Sequence, residues 1–476
     1  MPVILFLMNR NISRQFAAWV RMLLIISCTP FTGNAQTLNL YDAVNKTIIN
    51  YPLLQQRLAE VAAGRAHVNT VKDYRLPSLI LQEQFDMGTV NTEEGAYFSL
   101  GIVPSSPGGS ATSPPNYTPN PVNIAISSLQ WEFYNFGYYN AQNKQAKAQL
   151  GVYGANLGGD KYLLTENIIS LYLDWLKKYR LLQIQNENTE RAKVILTAIR
   201  ATVLSGLKPG VDSSTASAAY ADARIAYLQA LDDYNYDKIS LASYTGVNAN
   251  NIMPDTAFVN TALLQSPAIA QPTDSVPLGH PLLNTFEKQY EEQLADNNAI
   301  AKKYLPHLAL NGAAWARNSG ISYSGAYPDG ITDEVPYSKY NYIFGATFTY
   351  NLFDLKHRRD ELVEGKYEAE AKQSAFQTQQ ISLNRMMQQA NATYATTLEK
   401  LKEIPVQLYS ARQAYGQQVA LYRSGLNTLI DVTNAQYVLL QAETSYVNMQ
   451  NELLQLLYIR AGLNGQLENF LVNFKR

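Results

Sequence analysis

The sequence predicts a mostly α-helical chain with a small β part, built from an internal duplication. Three observations predict it. First, Tyr51-Pro52-Leu53-Leu54 opens a helical stretch that ends at Leu76-Pro77, and His280-Pro281-Leu282-Leu283 opens another that ends at Leu305-Pro306. The proline spacing is 25 in both (77 − 52 and 306 − 281). Second, Trp131-Glu132-Phe133-Tyr134-Asn135-Phe136 is answered by Tyr350-Asn351-Leu352-Phe353-Asp354-Leu355, and Ser205-Gly206-Leu207 by Ser424-Gly425-Leu426, both at an offset of 219 (350 − 131 and 424 − 205). Third, each copy carries one very long helical pattern flanked by short alternating segments. Self-similarity on this scale sets the architecture before any single residue is weighed.

The 476 residues are 46% apolar, enough for a large fold or several domains. Only 16% are charged, below the roughly 25% of ordinary soluble domains. The net charge of −1 carries no basic surplus that would point to nucleic acid. At the N-terminus Arg10, Arg14 and Arg21 precede an apolar run over 22–31, and Gly33-Asn34-Ala35 supplies the small residues of a secretory cleavage site. Residues 1–35 are therefore expected to be a signal peptide, with Met1 or Met8 as its start and Gln36 as the mature N-terminus. Cys28, the single cysteine, sits in a sequence loosely like a lipoprotein box. Cleavage there leaves only residues 22–27 as apolar core, shorter than the roughly 7–15 of a signal h-region. No mature segment reaches the ~18 consecutive apolar residues of a transmembrane helix. A β-barrel, with its weak per-strand signal, stays open.

Each copy reads helix, strand, loop, strand, long helix, turn, helix. The first opening helix is expected over 38–74 with a break near Pro52; Leu76-Pro77 ends it, because the residue before proline avoids helical geometry. Residues 79–87 then alternate, Leu79, Leu81 and Phe85 against Gln82, Gln84 and Asp86, which only Glu83 spoils. Residues 104–121 are a Ser/Pro/Gly-rich loop and 122–134 the returning strand. In the second copy the strands are expected at 307–317 and 342–353, joined by 318–341. Residues 137–204 carry no proline, while 357–423 contain Pro405, expected to kink or interrupt that rod. About 67 residues at 1.5 Å per residue span roughly 100 Å, a coiled-coil length. Turns at Gly206-Leu207-Lys208-Pro209-Gly210 and Gly425-Leu426-Asn427-Thr428 start returning helices over 211–245 and 429–461. The organisation is thus 1–35 signal, 36–246 first repeat, 247–279 a proline-rich linker, 280–465 second repeat and 466–476 a tail.

Four strands cannot close a barrel, and an open sheet edge in lipid leaves backbone groups unpaired. If the strands lie in a membrane, closure needs two chains for eight strands or three for twelve. Phe98, Trp131, Phe133, Tyr134, Trp315, Tyr340, Tyr342, Tyr350 and Phe353 suit interfacial girdles, and equally suit a soluble sheet.

The paired Pro-Leu-Leu…Leu-Pro blocks, the aromatic strand-to-helix junctions and the duplicated Gly-Leu…Asp hairpins resemble the TolC family of outer-membrane efflux proteins, over about residues 38–465. Gly206 to Asp212 resembles the form in Bacteroidetes-type members. The resemblance implies a homotrimer with a twelve-stranded outer-membrane β-barrel in contact with outer-membrane lipid, continued by an α-helical coiled-coil tunnel through the periplasm. It implies an exit duct of a tripartite efflux system, fed by a proton-driven inner-membrane transporter through a periplasmic adaptor. A protein-secretion duct paired with an ATP-driven exporter shares the structural class, and a non-pore periplasmic scaffold is the rival outside it.

The resemblance places Asp431 in a carboxylate ring at the periplasmic constriction, where three copies would attract cations. The same residue also fits a helix N-terminal role, as does Asp212 in the first copy. Asn434 stands where some members carry a second acid, and Asn427 where relatives carry a bridging arginine; Arg423 and Lys208 are candidate replacements. Tyr422 matches a tyrosine of the closing network and fits a buried coiled-coil aromatic equally well. Gly206, Leu207, Gly425 and Leu426 would form the tips that meet the adaptor, or Leu207 and Leu426 would secure helix ends. His67, His280, His307 and His357 are scattered without metal-ligand spacing, and no phosphate loop or nucleophile–base pair appears. No enzymatic activity, metal or cofactor is expected.

Overall fold

The computed structural model describes residues 36–91, 114–206, 209–257, 275–321 and 336–472. The signal region with Cys28, Phe98, and the tip residues Leu207 and Lys208 lie outside them. The elements run β1 (Gln36–Leu38), α1 (Leu40–Asn50), α2 (Pro52–Asp73), β2 (Ser78–Gly88), β3 (Asn120–Tyr134), α3 (Tyr138–Leu204), α4 (Gly210–Thr245), β4 (Ile252–Pro254), α5 (Pro281–Lys303), β5 (His307–Ser319), β6 (Lys339–Thr349), α6 (Asp354–Arg423), α7 (Leu429–Leu463) and α8 (Leu467–Val472). They divide into two units.

One unit comprises Gln55–Gly159 and Pro281–Ile381. It holds a four-stranded antiparallel sheet in the order β2-β3-β5-β6. Both outer strands, β2 and β6, are exposed along their length. The register sorts the side chains into two unlike faces. Leu79, Leu129, Gly312 and Phe344 form one cross-strand row, and Leu81, Ser127, Ala314 and Tyr342 the next on the same face. Phe85, Trp131, Leu310, Ala346 and Phe348 continue it, with Glu83 as its acidic exception. The opposite face carries Gln82, Gln84, Asp86, Ser128, Gln130, Asn311, Arg317, Lys339 and Thr347, with Ile80, Val122, Ile124, Ile126, Trp315 and Ile343 among them. Trp315 therefore does not share a face with Trp131, Tyr340 and Tyr342.

The helices under the sheet meet at glycines and at polar contacts. A Cβ on Gly64 of α2 would lie 2.7 Å from the Tyr153 ring of α3, so only glycine allows that approach. Val68, Val71 and Ala146 bury the same seam. The Thr285 hydroxyl of α5 donates to the Ala155 carbonyl at 3.2 Å, and Asn297 donates to the Gly365 carbonyl at 2.9 Å. Trp131 Nε1 donates to the Arg75 carbonyl at 2.9 Å, tying β3 to the end of α2.

The other unit is formed by residues up to Leu54, Asp160–His280 and Ser382 onward. Ile168, Ile169, Tyr172, Leu173 and Trp175 are fully buried on α3. The Tyr172 hydroxyl donates to the Leu38 carbonyl at 2.8 Å and accepts from Asp255 N–H at 3.1 Å. It thereby fixes the two-stranded parallel pair of β1 and β4. A buried ion pair, Arg191 to Glu443 at 2.8 Å, joins α3 to α7, and Arg412 of α6 approaches the same carboxylate at 3.6 Å. Buried Gln436 donates to Asn188 Oδ1 at 2.8 Å.

Several expectations are corrected. The opening helix does not begin at 38: Leu38 ends β1, and the Asn39 side chain caps α1 by accepting from Asp42 N–H at 2.7 Å. The fourth strand starts at Lys339 and stops at Thr349, not 353. Asn351 turns the chain by accepting from Phe353 N–H at 3.1 Å and donating to Asp354 at 2.8 Å, a local bonding pattern that competes with strand pairing. Pro405 does not interrupt α6: it lies exposed inside one continuous helix. The tail folds into α8, burying Leu467, Phe470 and Leu471. Finally, the strand-to-helix junctions are offset by 216 (354 − 138), not 219. Trp131 is therefore not the structural equivalent of Tyr350. The hairpin glycines keep 219 (425 − 206), because α6 has 70 residues against 67 in α3.

Candidate constriction and hairpin tips

The two long helices end on like glycines. Gly206 and Gly425 take φ of 76° and 77°, a left-handed conformation that glycine adopts without a Cβ penalty. Gly425 N–H bonds the Tyr422 carbonyl at 3.1 Å and Leu426 N–H the Leu421 carbonyl at 3.0 Å, which is a Schellman ending to α6. Gly206 N–H bonds the Val203 carbonyl at 3.0 Å in the same way. Leu426 stays 77% exposed, so it does not bury itself to secure the helix end.

The returning helices start differently. α7 begins with a capping box: Thr428 Oγ1 accepts from Asp431 N–H, and the Asp431 carboxylate accepts from Thr428 N–H at 3.1 Å. The Thr428 hydroxyl also donates to that carboxylate at 2.5 Å. These bonds from Thr428, side chain first, hold the Asp431 carboxyl below its ordinary range. α4 begins at Gly210 behind Pro209, with no side-chain cap, although Asp212 lies in its first turn. The duplicated aspartates thus differ: Asp431 makes the helix-end bonds, whereas Asp212 stands in the first turn of a helix without a side-chain cap.

Tyr422 is half-buried against Leu196, Ile199, Ala216 and Leu429. Burial first, then the nearby charge of Asp212, raises its hydroxyl above the usual phenol range. Asn427 donates to Gln418 Oε1 while accepting from Thr428 N–H at 3.0 Å. It stays within its own hairpin. Asn434 is exposed on α7. Arg423 is exposed and borders a cavity of about 220 Å³ lined also by Val194, Ile195, Thr202, Tyr422 and Val432.

Sequence reasoning missed a second polar cluster. His280 is fully buried and stacks edge-on against Tyr162 at 4.8 Å. The Tyr162 hydroxyl donates to Glu166 at 2.6 Å. Burial lowers the His280 imidazole, which hydrogen-bonds the Gly462 backbone, and raises the Glu166 carboxyl. A Cβ on Gly462 would stand 2.8 Å from the Tyr162 hydroxyl, so the cluster needs glycine there. Its partners lie far apart in sequence and carry no motif. The two faces of the sheet were more accessible: Tyr340, Tyr342, Phe344, Ala346 and Phe348 alternate along β6.

Among the described residues no group of three or more His, Cys, Asp or Glu is arranged to hold a metal, and no helix is long and apolar enough to cross a membrane. The family model described as outer membrane efflux protein matches residues 43–247 and 278–457. No curated protein matches by sequence. Solved structures similar in fold include the outer-membrane channel OprN, at 17% identity, TM-score 0.69 and 90% coverage of both chains. The outer membrane protein VceC from Vibrio cholerae is 15% identical at TM-score 0.69, covering 90% of this chain and 96% of its own. The CmeC outer membrane channel of Campylobacter jejuni is 14% identical at TM-score 0.71, covering 92% and 89%. The chain belongs to the outer membrane efflux protein family.

Proposed function

We propose that three copies of this chain close a twelve-stranded outer-membrane barrel and continue it as a helical tunnel through the periplasm. The assembly is the passive exit duct of a tripartite efflux system. Small molecules reach it from an inner-membrane transporter, proton-driven, through a periplasmic adaptor. The observation that carries this reading is the sheet: four strands with two open edges, one face largely apolar and the other holding most of the polar and charged side chains. A lone open sheet is unstable in lipid, whereas a closed barrel puts apolar side chains outward and polar ones into its lumen. Strands of 11, 15, 13 and 11 residues meet or exceed the ~9–11 that cross a bilayer. The adaptor reading rests on Leu426, a largely exposed leucine at a rigid turn, and Gly206 and Leu207 would form the companion tip. At the tunnel end Asp431, with Asn434 about one helical turn further along α7, lines the constriction together with Tyr422 and Asp212.

The test is the mass and single-channel conductance of detergent-purified protein. A trimer giving small, cation-selective steps supports a nearly closed duct. Folded trimers that never insert into a planar bilayer would sink the pore.

A further inference from the structure

Arg317 of β5 and Lys339 of β6 are direct cross-strand partners. Their Cβ atoms are then roughly 5 Å apart, and like charges placed so are unfavourable unless something neutralises them. Both side chains are exposed, and neither has an ion-pair partner among the described residues. They share the polar face, in a row with Gln84 and Ile124. The nearest acid on that face by register is Asp86, one row on and two strands from Arg317. Within one chain that is about 10 Å sideways at ~4.8 Å per strand, beyond the ~8 Å screening length of physiological salt. A cavity of about 780 Å³ opens beside the pair, bordered by Val122, Ile124 and Ser319.

The pair also has a defined place along the strands. Residue 317 is near the end of β5 and 339 begins β6, so both lie at the loop end of the sheet, away from the helices. Glu132, by contrast, pairs with Ala309 at the helix end of the same face. Among the described residues of this face, the loop end carries two positive charges, Arg317 and Lys339, against the one negative charge of Asp86.

We infer that Arg317 and Lys339 form an anion-binding site on the polar face, and that three copies make a basic belt inside the loop-side mouth of the duct. This rests on the barrel reading above. The ligand class is a small multivalent anion, or the anionic group of a solute in transit, held by charge-assisted bonds from guanidinium and ammonium. Rings of Arg and Lys select anions in other pores by the same electrostatics.

The experiment uses full-length trimers in a planar bilayer, with pyrophosphate as the probe. The helical part stays in the compartment of addition, so the far compartment faces the strand loops. Pyrophosphate added there is expected to reduce the current of the wild-type channel. In R317Q/K339Q, which removes both charged contacts, the half-blocking concentration should rise at least about tenfold, with trimer yield unchanged on a gel. Equal block in the double variant, or none in the wild type, overturns the site while leaving the duct intact. Folded trimers that form no channels overturn the duct itself, and the site with it.

Discussion

The Asp431 carboxylate accepts two hydrogen bonds from Thr428, one from its backbone N–H at 3.1 Å and one from its hydroxyl at 2.5 Å. The residue proposed to line the constriction therefore also closes the first turn of α7. The two roles separate by substitution. Asp431→Ala removes charge and cap, and is expected to raise conductance and weaken cation block. Thr428→Ala removes the cap alone, at about 1 kcal/mol of stability, and should leave the block intact. Single-channel recording with a divalent cation distinguishes them; block unchanged in Asp431→Ala removes it from the ring. Because its bonds to Thr428 lower the Asp431 carboxyl, the charge is kept through mild acid. Both the block and the cap should fade only as the pH falls below the ordinary carboxylate range.

Ala313 and Ala314 are neighbours on opposite faces of β5. Ala314→Arg places a charge among Leu81, Ser127 and Tyr342 on the apolar face. At the middle of a bilayer this costs about 2–4 kcal/mol, so assembly in the outer membrane should fail or drop steeply. Ala313→Arg points to the polar face and should assemble. Heat-modifiable mobility of the trimer on a gel reads both, and equal yields would contradict the assignment of the faces.

Glu443 is buried between Arg191 and Arg412. Glu443→Leu removes the close counter-charge of the partly buried Arg191, which keeps only Glu187 at 3.9 Å, and is expected to cost about 1–3 kcal/mol. Replacing the pair together, as Arg191→Met with Glu443→Leu, should recover most of that loss. Denaturant unfolding of the wild type, Arg191→Met, Glu443→Leu and the double variant gives the coupling, and an additive double mutant would show the pair to be inert.

His280 is buried with its imidazole lowered. The unfolded chain takes up the proton first, so stability should fall as the pH drops from about 6.5 toward the lowered value. Glu166, raised by burial, works in the opposite sense: its penalty is present above its folded value and is relieved in acid. His280→Phe should flatten the acid-side loss in a melting-temperature profile. Gly462→Ala, which drives a methyl into Tyr162 and Glu166, should cost about 1–3 kcal/mol at all pH values.

Much of this architecture was legible along the chain. Pro77 and Pro306 end helices wherever they occur, so α2 and α5 stop where the sequence says. The long helices were visible as runs almost free of proline. Thr428 and Asp431 have capping-box spacing, so one of the two roles of Asp431 could be read in advance. The three-residue strands β1 and β4 were too short to show a period, and they exist only because each pairs with a segment more than 200 residues away. Arg191 and Glu443 are 252 positions apart, and nothing local to either announces the other. The end of β6 was misplaced because Tyr350 and Phe353 resemble strand residues while Asn351 between them dictates a turn.

Helix α6 exceeds α3 by three residues (70 − 67). An α-helix advances about 100° per residue, so three residues fall some 60° short of a full revolution. The halves of the duplication are thus out of phase by the time they reach their turns. Asp212 and Asp431, identical in sequence position within their copies, are free to serve different surroundings, and a partner approaching the tips meets two distinguishable hairpins. Ancestral symmetry has been kept in the parts list and lost in the pointing direction.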